Sequence, residues 1–238
     1  MIELVPETGS TNSDLLDRLR SGEAIAPGHW LVADHQTGGR GRLGRQWEGG
    51  AGNFMGSTVV RLNGRGATAP GLALAAGLAV YETVLPRLNT PGELKLKWPN
   101  DLLLTGAKLA GILMEREADA VVIGVGVNLA HAPRVPGRAT VSLSEFGPPP
   151  DRDQFAHDLA LQFEREVADW RRYGIDSIIP RWLAAAHANG AAISVTEGDG
   201  SRIEGTFAGL EGDGALRLRL ADGTMRVIHA GDVMQGAG

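Results

Sequence analysis

The chain has 238 residues with 23 basic and 28 acidic side chains, a net charge of −5, 43% hydrophobic residues and no cysteine. The lack of cysteine excludes disulfides, thiolate metal sites and a cysteine nucleophile, and it fits a reducing, cytoplasmic setting. The acidic balance argues against nucleic acid as the main partner. No signal peptide is read, and the uncharged stretch Gly66–Tyr81 falls short of the roughly 20 apolar residues a membrane span needs.

Taken in chain order, residues 1–5 read as a strand. A helix follows through Arg20, capped by Ser10 or Thr11, with Asp14 placed as in a capping box. His29–Asp34 reads as a strand, then a Gly-rich loop from Gln36 to Gly52, then a strand at Asn53–Leu62. Residues 70–88 read as a second helix, apolar on most faces and therefore buried against a sheet. Three short strands are predicted at Leu94–Trp98, Leu109–Arg116 and Ala120–Val127, the last rich in β-branched residues. After the break at Pro148–Pro150 come two helices, Arg152–Tyr173 and Ile175–Ala188. Beyond Asn189 the pattern changes: Asp199-Gly200, Asp213-Gly214 and Asp222-Gly223 are hairpin-type turns joining strands at Ile193–Thr196, Arg202–Leu210, Ala215–Leu220 and Met225–His229. Strands and helices mix without a strict βαβ rhythm. The expected architecture is α+β: a mixed-sheet domain over 1–189 and a small β-barrel of SH3-like size over 190–238.

Four stretches offer chemistry. Gly38–Trp47, GGRGRLGRQW, formally contains GxGxxG, but the QWEGGAGN that follows will not open the helix a dinucleotide site requires. A plain flexible surface loop is the bland alternative. Glycines that let backbone approach a ligand, with Arg40, Arg42 and Arg45 as fixed donors and Trp47 to stack on a base, suit an anionic, aromatic ligand better. KLKWPNDLLL ends a strand in a turn at Trp98–Asp101; either it is only a turn, or Asn100 and Asp101 bind a ligand or a magnesium ion there. Lys108 stands between small neighbours before an apolar strand, which leaves room for a ligand beside its ammonium. In Gly124–Asn128, GVGVN, the glycines can simply ease strand packing, or Asn128 can read a base edge at the strand end.

Together with GSTN at Gly9–Asn12, these stretches resemble the biotin–protein ligase family. The likeness runs in order over most of residues 8–130: GRGR-x-GR-x-W at Gly39–Trp47, KWPND at Lys97–Asp101, KLAGIL at Lys108–Leu113 and G-x-G-x-N at Gly124–Asn128. The resemblance implies a catalytic domain of the biotin/lipoate ligase type, with biotin and ATP as substrates and magnesium as cofactor. It implies that Ser10, Thr11, Asn12, Gln36, Gly39, Arg40, Gly41, Arg42, Lys108 and Gly111 contact biotin. Arg42, Arg45, Trp47, Asn100, Lys108 and Asn128 are implied on the nucleotide, and Lys108, Arg42 and Arg40 in the chemistry. The implied partner is a biotin carboxyl carrier protein with an acceptor lysine. GSTN begins at residue 9, so the family's N-terminal helix-turn-helix repressor domain is not expected, nor is nucleic acid binding. A strand edge near the ligand loop can pair between subunits, which would make a homodimer. A lipoate ligase is the nearest rival, and the GRGRxGR, KWPND and KLAGIL stretches favour biotin.

Overall fold

In the computed structural model, residues 1–62 and 69–235 are described; of the uncharged stretch, residues 66–68 lie outside them. The centre of the molecule is β7 (Ala120–Val127), whose β-branched run is buried on both faces. It pairs antiparallel with β3 (Phe54–Arg61) on one side and with β6 (Ala107–Glu117) on the other. Outward from β3 lie β2 (Trp30–Gln36) and then β1 (Ile2–Thr8), which runs parallel to β2. Outward from β6 lie β5 (Asp101–Leu104) and β4 (Leu94–Lys97). The sheet therefore has seven strands in the order β1-β2-β3-β7-β6-β5-β4. β5 is hidden in the sequence behind what reads as a turn. DLLL is too short to show a period, and only pairing with β4 and β6 defines it.

Helices cover both faces. On one, α1 (Thr11–Arg20) lays Leu15 and Leu16 on Leu31, Val59, Ala120 and Val122. On the other, α2 (Ala69–Val84) and α3 (Arg152–Tyr173) form a layer over the large core. α2 is shorter than predicted. The chain tightens into a 3-10 turn at Leu85–Arg87, where Pro86 cannot supply an α-helical N–H. α3 is capped by Asp151, which accepts from the Gln154 N–H at 2.8 Å, and it buries Phe155, Leu159 and Phe163 at four-residue spacing. The predicted fourth helix splits into a 3-10 turn at Ile175–Ser177 and α4 (Ile179–Ala185). The capping box on α1 does not form: Ser10 is the N-cap with no side-chain bond, and Asp14 instead accepts from the Thr8 hydroxyl at 2.6 Å. Among the described residues no helix is long and apolar enough to cross a membrane.

The C-terminal part is a five-stranded antiparallel sheet consistent with an SH3-like fold. Its strands are β8 (Ala192–Thr196), β9 (Arg202–Leu210), β10 (Leu216–Arg219), β11 (Met225–Ile228) and β12 (Asp232–Gln235), in the order β11-β10-β9-β8-β12. The three Asp-Gly turns are present. Asp199, Asp213 and Asp222 each accept from the N–H two residues on at 2.9 Å, and Gly200, Gly214 and Gly223 follow at positive φ. β12 was not predicted, since Val233 and Met234 are too few to mark a strand; long-range pairing to β8 creates it. Val195, Phe207, Leu216 and Ile228 of this sheet join the same buried cluster as α2 and α3. The Trp98 indole donates to the Gly214 carbonyl at 3.1 Å, which ties the KWPND turn to the C-terminal sheet.

Candidate active site

Strand register builds the floor. Lys97 pairs with Asp101, Asp101 with Gly111, and Gly111 with Gly126, so these positions stand in one row across β4, β5, β6 and β7. Simple alternation would put Lys108 and Gly111, three residues apart, on opposite faces. An irregularity in the β5–β6 register between Leu102 and Leu103 corrects this and brings the Lys108 ammonium to 3.0 Å from where a Gly111 side chain would begin. Lys108 Nζ donates to Asp101 Oδ1 at 2.5 Å, and Lys97 Nζ lies 3.2 Å from Asp101 Oδ2. All three groups are largely sequestered, with side-chain exposures of 15%, 5% and 8% for Lys108, Asp101 and Lys97. Burial pushes the Asp101 carboxyl up, but Lys108 and then Lys97 overcome it and hold the group below the usual carboxylate range. Burial draws the Lys108 ammonium below the ordinary lysine value, and Asp101 opposes it. The lysines thus favour the charged form of Asp101, whereas burial works against the Lys108 charge and the Asp101 carboxylate offsets part of that loss.

Glycine is required where other chains press on this floor. A Cβ on Gly126 would lie 2.3 Å from the Trp47 ring, and one on Gly124 would lie 2.3 Å from Asn12 Oδ1. Lys108 Nζ also sits 5.7 Å from the Trp47 ring centroid, within cation–π range. At the α1 end the polar groups interlock. The Thr11 N–H donates to Gln36 Oε1 at 2.8 Å, Thr11 and Ser57 hydroxyls are 2.6 Å apart, and Ser57 Oγ donates to Asn12 Oδ1 at 2.6 Å. Asn12 Nδ2 and Arg40 Nη2 both donate to Glu115 Oε2 at 2.9 Å.

The arginine loop closes the other side. It contains a single 3-10 turn at Arg42–Gly44, with Leu43 at φ 58, and no helix opens after it. Arg42 donates to Asn100 Oδ1 at 3.1 Å and to the Gly231 carbonyl at 3.3 Å, and Arg45 reaches Asp232 at 2.5 Å. Burial lowers the Arg42 guanidinium's pKa from its ordinary value, with Asp232 and Asp101 acting against it.

The result is a cavity of about 490 Å³, the size of a small-molecule site. Of the residues the sequence singled out, Ser10, Thr11, Asn12, Gln36, Arg40, Gly41, Arg42, Arg45, Trp47, Asn100, Asp101, Lys108, Gly111 and Asn128 all line it. Gly39 does not. It is buried behind the loop, where a side chain would meet the Trp47 carbonyl at 2.6 Å. Asn128 is half committed: its Nδ2 donates to the Val141 carbonyl at 3.1 Å, while its Oδ1 has no partner among the described residues. The Trp47 Nε1 is likewise buried without a partner. These two orphan atoms suit a ligand that brings a donor and an acceptor. Asp101 does not fit the magnesium role, because both its oxygens face lysine ammonium groups. The described residues also contain no group of three His, Cys, Asp or Glu able to hold a metal.

Sequence reasoning missed several residues here. Lys97 and Glu115 lay inside the stretches already singled out, and strand alternation from Gly111 would have pointed to Glu115. Ser57, Arg134, Arg138 and Asp232 sit on segments with no local signal and reach the site only through the fold.

Comparison with known proteins agrees with this geometry. Residues 4–128 match the Biotin/lipoate A/B protein ligase family, and residues 190–234 match the Biotin protein ligase C terminal domain. The biotin–[acetyl-CoA-carboxylase] ligase of Mycobacterium tuberculosis is 39% identical over 237 residues, spanning 98% of this chain and 88% of that protein. The ligase of the same name from Paracoccus denitrificans is 38% identical, over 98% of this chain and all of its own length. The solved biotin protein ligase from Aquifex aeolicus in complex with biotin and ATP superposes with a TM-score of 0.86 at 23% identity, covering 99% of each chain. The chain belongs to the biotin protein ligase family and is a ligase.

Proposed function

We propose that the chain joins biotin to ATP, forming biotinyl-5'-AMP and pyrophosphate, and then passes the biotin to a specific lysine of a biotin carboxyl carrier protein. The observation that carries this reading is the placement of Lys108. Its largely sequestered ammonium, fixed by Asp101 and 5.7 Å from the Trp47 ring centroid, lines the same cavity as the polar α1 end and the orphan polar atoms of Trp47 and Asn128. Biotin's head fits the Ser10–Thr11–Asn12–Gln36 end, and the adenine fits the end near Asn128. The two reacting groups then meet beside Lys108, Arg40 and Arg42.

In the first step a biotin carboxylate oxygen attacks the α-phosphorus, and the bond to the β-phosphate oxygen breaks, releasing pyrophosphate. Two anions must approach each other, so fixed cations that are already in place supply most of the stabilisation, together with orientation. The chain's own described residues do not form a cage for magnesium, which would supply further positive charge only as bound to the triphosphate. The acyl phosphate must be kept from water, which the loop carrying Arg42 and Trp47 does by covering the floor. In the second step the neutral carrier amine attacks the acyl carbon and AMP leaves. Asp101 is a poor base for that amine while both its oxygens are held by lysines. The named relatives, ligases for acetyl-CoA carboxylase, support a carboxyl carrier as acceptor. Division of the chain at residue 189/190 belongs to the same reading, supported by the start of the five-stranded sheet at Ala192.

The test is ATP–pyrophosphate exchange with purified protein and magnesium, with biotin, lipoate or no acid, and no carrier. Exchange only with biotin supports the reading. Exchange with lipoate alone keeps the chemistry and overturns the substrate. No exchange from folded protein overturns the ligation reading.

A further inference from the structure

We propose that Arg138 is a further nucleotide-phosphate-binding residue, presented to the cavity by Asp232 at the start of β12. This rests on the reading that ATP is a substrate. The segment before Leu143 is laced to the strand that carries Lys108: the Lys108 N–H donates to the Ala139 carbonyl at 2.9 Å, and the Val141 N–H donates to the Lys108 carbonyl at 3.0 Å. Arg138, the residue next to Ala139, therefore enters the cavity alongside Lys108 and is close enough for its charge to disfavour the Lys108 cation.

Asp232 comes from the other sheet. Its Oδ2 receives Arg45 Nη2 at 2.5 Å and Arg138 Nη2 at 3.4 Å, so two guanidiniums from separate loops converge on one oxygen. The neighbouring Gly231 carbonyl holds Arg42. One corner of the C-terminal sheet thus holds three arginines that line the cavity.

The charge balance shows what the corner is for. Six arginine and lysine side chains line the cavity against three acidic ones, Glu48, Asp101 and Asp232, in a chain whose total is −5. Gathering like charges in a partly dry cavity is unfavourable unless an anion completes the set. The Arg138–Asp232 contact is long and uses one nitrogen, which leaves the planar fork free to bind phosphate oxygens in pairs. A triphosphate is the anion that matches such a fork. Both guanidiniums are held on one Asp232 oxygen, so Asp232 acts through them as a positioning residue that keeps Arg45 and Arg138 aimed inward.

The experiment is calorimetric titration of α,β-methylene-ATP and, separately, biotin into the wild type and variants. Arg138→Ala should weaken the nucleotide about tenfold, the scale of one charge-assisted contact, and leave biotin affinity within about twofold. Arg138→Lys should recover part of the loss. Asp232→Asn should weaken the nucleotide less, and in the Arg138→Ala background it should add only what Arg45 contributes. Unchanged nucleotide affinity in Arg138→Ala overturns the proposal, as does an equal loss for biotin. Tighter nucleotide binding in Asp232→Asn overturns the positioning half, since Asp232 would then compete with phosphate. If Arg138→Ala does not fold, Arg138→Gln replaces it. Pyrophosphate exchange by the wild type separates the two failures. Its absence removes the ligation reading; its presence with unchanged Arg138→Ala affinity removes only this inference.

Discussion

The cavity has two kinds of charged wall. On the sheet, Lys97 and Asp101 are buried and paired in register, and the partly buried Lys108 reaches the other Asp101 oxygen, so oxygen is matched to ammonium. On the loops, Arg40, Arg42, Arg45 and Arg138 are more exposed and lean on scattered partners from three other segments. The difference follows from desolvation. A charge removed from water must be paired where it stands, whereas a half-solvated guanidinium can exchange its partner for a ligand at little cost. The sheet wall therefore supplies fixed electrostatics, and the loop wall supplies cations that can close on a substrate.

Breaking the sheet wall should have the largest effect. Asp101→Ala leaves two buried ammonium groups without their counter-ion, and a loss of about 3–5 kcal/mol in urea unfolding is expected. A loss below about 1 kcal/mol would mean that the cluster is hydrated and the contrast between the walls is false. Acid sharpens the point. Because the Asp101 carboxyl is held below its unfolded value of about 4, its contribution is complete above that pH and disappears as pH falls through the folded value. Wild type minus Asp101→Asn stability, plotted against pH, should be flat at neutrality and shrink on the acid limb. An unchanged difference down to the lowest measurable pH would contradict the assigned ionisation.

Lys108→Ala should cost adenylation at least about a hundredfold, near 2.7 kcal/mol. Near-normal pyrophosphate exchange would end its assigned role. Gly126→Ala tests the floor. The new Cβ meets the Trp47 ring, and overpacking of this sort costs about 1–3 kcal/mol. Trp47 should move, with changed fluorescence and weaker nucleotide binding; unaltered binding would show that the ring's position does not matter. Arg42→Ala, on the loop wall, should leave stability within about 1.5 kcal/mol while biotinyl-AMP escapes about tenfold faster, the effect of one or two hydrogen bonds. Equal release rates would show that this loop is not the cover.

Much of this was legible from residues alone, because the signals were local. The run AVVIGVGV needs no partner to declare a buried strand, the Asp-Gly pairs declare their turns, and α3 announces itself by its four-residue apolar spacing. Nearly every residue that the motifs marked also lines the cavity, Gly39 excepted. What failed was short or relational. β5 and β12 have four residues each, too few for a period, and the α1 capping box lost to a competing bond from Thr8. The magnesium reading of Asp101 finds no support in the geometry, because Lys97 and Lys108, carried on other strands, face its two oxygens.

By itself, then, the sequence determined most of the element types and the family's motifs, since each depends on neighbours within a few residues; what the floor glycines make room for, Trp47 and Asn12, lies far along the chain. Only the tertiary structure decided that Lys108 and Gly111 share a face. It alone placed Asp101 between two lysines, and it alone brought Asp232 across from the second sheet to hold Arg45 and Arg138. Those facts rest on strand register and on packing between distant segments, where pairing energies of separate strands must be satisfied together and no short window of residues contains the answer.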